Sequence, residues 1–270
     1  SGCIAKDVMS SFSHNHDGTH KGGGRASDVY DDSWPLTFQS STALLQKLSS
    51  FSSNIRRHRT ARKQLSLQEG GNNGTTATAA NVNKKSEDDA LIRACTSLVY
   101  FLRDETGKIS SFSASSFDDI TWDSKSVESV KEMLEMVLIQ AIRASSEVGD
   151  FILLPKIVVA AVEYASSIAQ FTTSTLAGST TTTTVSTSIA ILSPRIFGEA
   201  ISSLSKTKAS LSKIKSLWNY FMYDVVGWNS TATKKYPWIL SSPPSSYELN
   251  AMLTSLGERG KITAAIKLYR

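Results

Sequence analysis

The chain has 270 residues and a formal net charge of +5, with 40% hydrophobic and 20% charged residues. That is room for one large domain or two small ones, with Ser, Thr, Gly and Asn filling the shortfall in apolar and charged groups. No apolar run approaches the ~20 residues of a membrane span, and two cysteines supply neither a disulfide framework nor a four-cysteine zinc site.

Charge is unevenly spread. Residues 84–150 hold eight Lys/Arg against thirteen Asp/Glu, and residues 193–270 hold eleven against four. The C-terminal third, at +7, is the part best able to attract a polyanion.

Residues 1–85 read as a largely disordered, low-complexity region, because runs such as Gly22-Gly23-Gly24 and Gly70-Gly71-Asn72-Asn73-Gly74 bury nothing. Within it stand one short amphipathic island (Leu44, Leu45, Leu48, Phe51) and a basic patch, Arg56-Arg57-His58-Arg59-Thr60-Ala61-Arg62-Lys63. The patch suits either an arm that binds nucleic acid or an anionic surface, or a solvated linker or remnant of targeting sequence, and the latter is the commoner outcome.

Order is expected from about residue 86, where Glu87-Asp88-Asp89 suit a helix N-terminus. Leu91, Ile92, Cys95, Leu98, Val99 and Leu102 form a helical stripe, on which Cys95 reads as a small buried hydrophobe. Val130 to Ile142 and Ile157 to Ala169 repeat the pattern on either side of Gly149-Asp150, giving an antiparallel helix pair. Thirteen of the seventeen residues Thr172–Ser188 are Ser or Thr, which predicts a flexible surface loop. Pro194 opens a further helix, a second follows through Leu211 and Trp218, and residues 247–270 give helix, Gly257–Gly260 turn and helix. No stretch alternates with period two, so the fold class is all-α.

The last two helix pairs overlay. Ile196–Leu204 falls on Glu248–Leu256 at an offset of 52, and Leu211…Trp218 falls on Ile262…Tyr269 at 51. Self-similar helix pairs are the signature of an α-solenoid of antiparallel hairpins, here spanning residues 86–270.

Within Tyr247–Tyr269, Asn250, the Met252-Leu253 pair, Gly260, Ala264-Ala265 and Leu268-Tyr269 carry a resemblance to the pentatricopeptide repeat family. Residues 193–223 resemble a degenerate copy with Gly198 at the Asn250 position, and residues 133–170 fit as a generic helix pair. The Trp and Gly/Tyr spacing of a tetratricopeptide repeat is absent. The resemblance implies single-stranded RNA as partner, read at about one base per helix pair. It also implies a mitochondrial or plastid setting. The base-selecting position after the Asn maps onto Ala251 and, in the degenerate copy, Glu199; Ala251 offers no hydrogen bond and Glu199 would repel phosphate. Lys206, Lys208, Lys213, Lys215, Arg259 and Lys261 are the candidate phosphate contacts beside Asn250.

Catalysis, metal binding and cofactors are not expected. All four histidines lie at or before His58, and His14, His16 and His20 with Asp17 sit in a Gly/Ser-rich stretch with no second shell to orient them. No GxGxxG or GxxxxGK[ST] occurs. The chain opens Ser1-Gly2-Cys3 and stops at Arg270 within a helical pattern, and so reads as a fragment. The competing reading is an α-solenoid scaffold that binds protein, for example a ribosome-associated one.

Overall fold

The computed structural model describes residues 38–69, 77–111, 124–177, 190–207, 209–227, 236 and 239–269. It is all-α. Among the described residues eight helices follow in order: α1 (Phe38–Glu69), α2 (Ala77–Ser111), α3 (Ser124–Val148), α4 (Leu153–Ala177), α5 (Arg195–Lys206), α6 (Leu211–Asn219), α7 (Ser246–Glu258) and α8 (Ile262–Tyr269). A π-helical turn, Tyr220–Val225, extends α6. Among the described residues there is no strand, and none of their helices is long and apolar enough to cross a membrane.

Local sequence explains the boundaries. Gly149 takes φ 81° to end α3, and the Asp150 Oδ1 atom accepts hydrogen bonds from the Ile152 and Leu153 amides, both at 2.9 Å, to start α4. Helix α7 opens on a capping box: the Tyr247 amide donates to Ser245 Oγ at 3.1 Å, and Glu248 Oε2 accepts from the Ser245 amide at 2.6 Å. That box, Ser245-Ser246-Tyr247-Glu248, stands in the sequence as S-x-x-E.

Cross-helix pairs fix the directions. Ser52 meets Gln140 and Arg59 meets Glu147, so α1 and α3 run parallel. Glu135 faces Arg195, Arg143 holds Glu199, and Ser146 Oγ donates to the Ser203 carbonyl at 3.2 Å, so α3 and α5 run parallel. Tyr247 reaches Glu199 and Glu258 reaches Ser205, which makes α5 and α7 parallel as well. The odd-numbered helices therefore form a row in chain order, with α2 against α1 and α4, and with α6 and α8 each packed on the helix before it. The isolated bridge Leu192–Leu240 pins the approach to α5 beside the approach to α7, with hydrogen bonds of 3.0 and 2.8 Å.

One continuous apolar core runs through the row, from Leu48 and Ile55 through Leu98, Leu138, Ile142 and Val158 to Phe197, Phe221 and Leu256. Phe197 and Phe221 stack at 4.4 Å between centroids. Burial pushes the Cys95 thiol up to about 12, in keeping with a packed hydrophobe rather than a nucleophile.

Three expectations are corrected. Residues 38–69 and 77–85 are helical, not disordered, while the rest of residues 1–85 lies outside the described residues. In α1 the apolar stripe is thin because Ser41 and Ser52 occupy buried positions, with Ser52 and the Gln140 amide 2.9 Å apart. Half of its basic patch is matched by acids: Arg59 pairs with Glu147, Arg62 with Asp88, and His58 Nδ1 lies 2.7 Å from Glu87. The Ser/Thr-rich stretch begins as helix, since α4 continues through Ala177; residues 178–188 lie outside the described residues. Third, the apolar residues of the last helix pair do not all join the core: Ile266 is 49% exposed on α8, and Leu253 is only half-buried.

Candidate nucleic-acid interface

The candidate residues divide sharply by environment. Asn250, Lys206, Lys215 and Lys261 are exposed and Ala251 is half-buried. Lys208 lies outside the described residues, as do His14, His16, Asp17 and His20. Lys213, on α6, holds its ammonium 4.0 Å over the Phe151 ring and so ties α6 to the α3–α4 turn. Arg259 is a brace between α5 and α7. Its guanidinium donates to Ser205 Oγ at 2.8 Å, to the Ser255 carbonyl at 3.0 Å and to the Ala209 carbonyl at 3.0 Å.

Glu199 occupies the most built environment of the set. It is 5% exposed, and its oxygens accept a fork from Arg143, Nε at 2.8 Å and Nη2 at 3.0 Å. Tyr247 Oη adds a third bond at 3.1 Å. Burial works against the Glu199 charge, but the Arg143 fork and the Tyr247 hydroxyl outweigh it and hold the carboxyl below its ordinary range. The Tyr247 phenol is moved up, by burial first and by the Glu199 charge second. Glu199 is thus an internal bond between three helices rather than a group offered to a ligand.

What Glu199 organises is on the surface. Where α3, α5 and α7 meet, the Arg143 side chain is 46% exposed, Arg195 is 57% exposed and Tyr247 is 42% exposed. Arg195 stands 3.7 Å from Glu135 and, with Arg143, acts on the Tyr247 hydroxyl. Lys206 adds a further positive charge felt at Glu199. Asn250 projects from α7 one turn beyond Tyr247. The result is an aromatic face beside two guanidinium groups, with Glu135 and Glu199 as the acids next to them.

Sequence reasoning passed over Tyr247, Arg143 and Arg195. Arg143 and Glu199 lie 56 residues apart with no local pattern linking them. Tyr247 carried the one usable sign, a large aromatic at the exposed second position of a capped helix.

A concavity lies between α1 and α3. It measures about 720 Å³ and is lined by Leu45, Met133 and Met136 together with Ser49, Ser53 and Glu132. Among the described residues no three His, Cys, Asp or Glu side chains come together as a metal-ligand group. No protein-family model, curated protein or solved structure matches this chain.

Proposed function

We propose that the chain is a single-stranded RNA-binding protein of the pentatricopeptide class, acting in RNA processing, stability or translation in a mitochondrion or plastid. The row α1, α3, α5, α7 is read as the inner wall of an α-solenoid whose hairpins are α1–α2, α3–α4, α5–α6 and α7–α8. One observation carries the reading: the first helices of successive pairs lie parallel and side by side, with Tyr247, Arg143, Arg195 and Asn250 at one end of their row. Such a surface offers a strand both an aromatic face and cations for its phosphates. Half-buried Ala251 offers no base-edge hydrogen bond and buried Glu199 has its oxygens engaged, so the mode of binding is electrostatic and stacking rather than a base code.

The test is fluorescence anisotropy of several unrelated RNA oligomers with the full chain across a salt series. Each phosphate neutralised contributes about −0.7 to the slope of log K against log salt, so four engaged cations give about −3. Similar affinity for all sequences with that slope is the expected result. A flat slope, or no binding at low salt, overturns the RNA reading.

The α1–α3 groove favours a second reading, a protein-binding scaffold. Its methionines and hydroxyls suit an adaptable peptide contact. Loss of RNA binding in the assay above, with peptide-array binding abolished by Met133→Asp, would put the scaffold first.

A further inference from the structure

Tyr247 is fixed at both ends and open on one side. Its ring lies against the backbone of Gly198, so close that a Cβ there would stand 2.6 Å from Cδ1 and 2.7 Å from Cε1. Its hydroxyl is held by Glu199 at 3.1 Å, and Glu199 is itself locked by Arg143. A ring so held has already lost the rotamer freedom that a binding partner would otherwise have to remove. Yet the residue keeps 42% of its surface in solvent.

Arg195 lies one turn before Gly198 on the same side of α5. Its contact with Glu135, at 3.7 Å, is longer than a hydrogen bond, so the guanidinium keeps its donors for another acceptor. Arg143 differs: two of its donors are committed to Glu199. A flat apolar face beside an exposed guanidinium is the pairing that one nucleotide presents in reverse, a base next to a phosphate.

We propose that the open face of Tyr247 stacks one unpaired base and that Arg195 takes the adjoining phosphate, making a single nucleotide step at the α5–α7 junction. This rests on the RNA reading above and adds the residue, the contact type and the division of labour.

The experiment uses the full chain and an eight-nucleotide RNA carrying one 2-aminopurine, whose fluorescence is quenched by stacking, alongside anisotropy for affinity. Tyr247→Leu is expected to lose the quenching and about 5- to 160-fold in affinity, the range of one base–aromatic stack. Tyr247→Phe, which keeps the ring, should retain most of both. Arg195→Gln should keep the quenching and make the salt slope shallower by about 0.7. Wild-type affinity and quenching in Tyr247→Leu overturn the platform while leaving RNA binding intact; absence of binding by the wild-type chain overturns both. A readout independent of substitution is photocrosslinking of the unaltered chain to 5-iodouridine RNA. An adduct on Tyr247 supports the step, and adducts confined to other aromatics overturn it.

Discussion

The Tyr247 ring and the Gly198 backbone are in such close approach that the α5–α7 interface has no room for a side chain at position 198. Glycine is ordinarily a poor choice inside a helix, costing about 1 kcal/mol relative to alanine. Here it is required by the neighbouring helix.

Gly198→Ala therefore has opposite effects in two backgrounds. In the wild-type chain the overpacking of about 1–3 kcal/mol exceeds the propensity gain, and thermal or urea melts should show a net loss of about 1 kcal/mol. In a Tyr247→Ser background the obstruction is gone, and the same substitution should stabilise by about 0.5–1 kcal/mol. A loss of equal size in both backgrounds would show that Tyr247 is not what excludes a Cβ.

Arg143 and Glu199 should respond unequally to truncation. Arg143→Met strands a carboxylate that is 5% exposed and is expected to cost about 3 kcal/mol. Glu199→Gln leaves a 46% exposed guanidinium, which water can solvate, and should cost less. Equal costs in chemical denaturation would show that the pair is not the one-sided arrangement described.

The pair also sets a pH dependence. Glu199 and Glu147 are both held below the ordinary carboxylate range: burial opposes each charge, but Arg143 acting on Glu199 and Arg59 on Glu147 outweigh it. A carboxyl depressed in the folded state contributes stability above its unfolded pKa of about 4.3 and loses it as pH falls through the folded value. Melting temperature should hold from pH 7 to about 5 and fall below that. In Arg143→Met, burial acts on Glu199 without its fork, so the deficit against wild type should be greatest at neutral pH and shrink on acidification. A deficit independent of pH would rule the linkage out.

Helix α1 should behave as part of the core. Leu48 and Ile55 are fully buried, and truncating either to Ala is expected to cost about 2–5 kcal/mol. Ile266→Ala, at an exposed position on α8, should stay within about 0.5 kcal/mol. Denaturation midpoints of the three variants decide the matter; near-wild-type stability for Leu48→Ala and Ile55→Ala would make α1 a peripheral arm.

The helical class and most helix positions were legible because apolar spacing at three and four residues is a local property of the chain. The α3–α4 turn was legible for the same reason, since Gly149 and Asp150 act within four residues of themselves. Helix α1 was not, because its burial depends on Ser52, which hydrogen bonds to another helix, and on cations whose partners lie up to 88 residues away. In isolation, Arg59 and Arg62 look like solvated charge. The site shows the same divide. Lys206 and Lys261 were visible as basic residues, whereas the role of Glu199 depends on Arg143 and Tyr247 arriving from two other helices. A polar residue's partner is a fact of tertiary structure, and no spacing rule supplies it.

The chain-order row has a mechanical consequence. Arg143–Glu199 fastens α5 to α3, while Tyr247–Glu199, Ser205–Glu258 and the Arg259 brace fasten α7 to α5, so each clasp joins successive members of the row. Load applied to the C-terminus therefore meets these clasps in series. The polypeptide should tear from that end in steps, α7 and α8 first, with α1 to α4 last to yield. Held between optical tweezers, it would extend as a staircase rather than in a single rip.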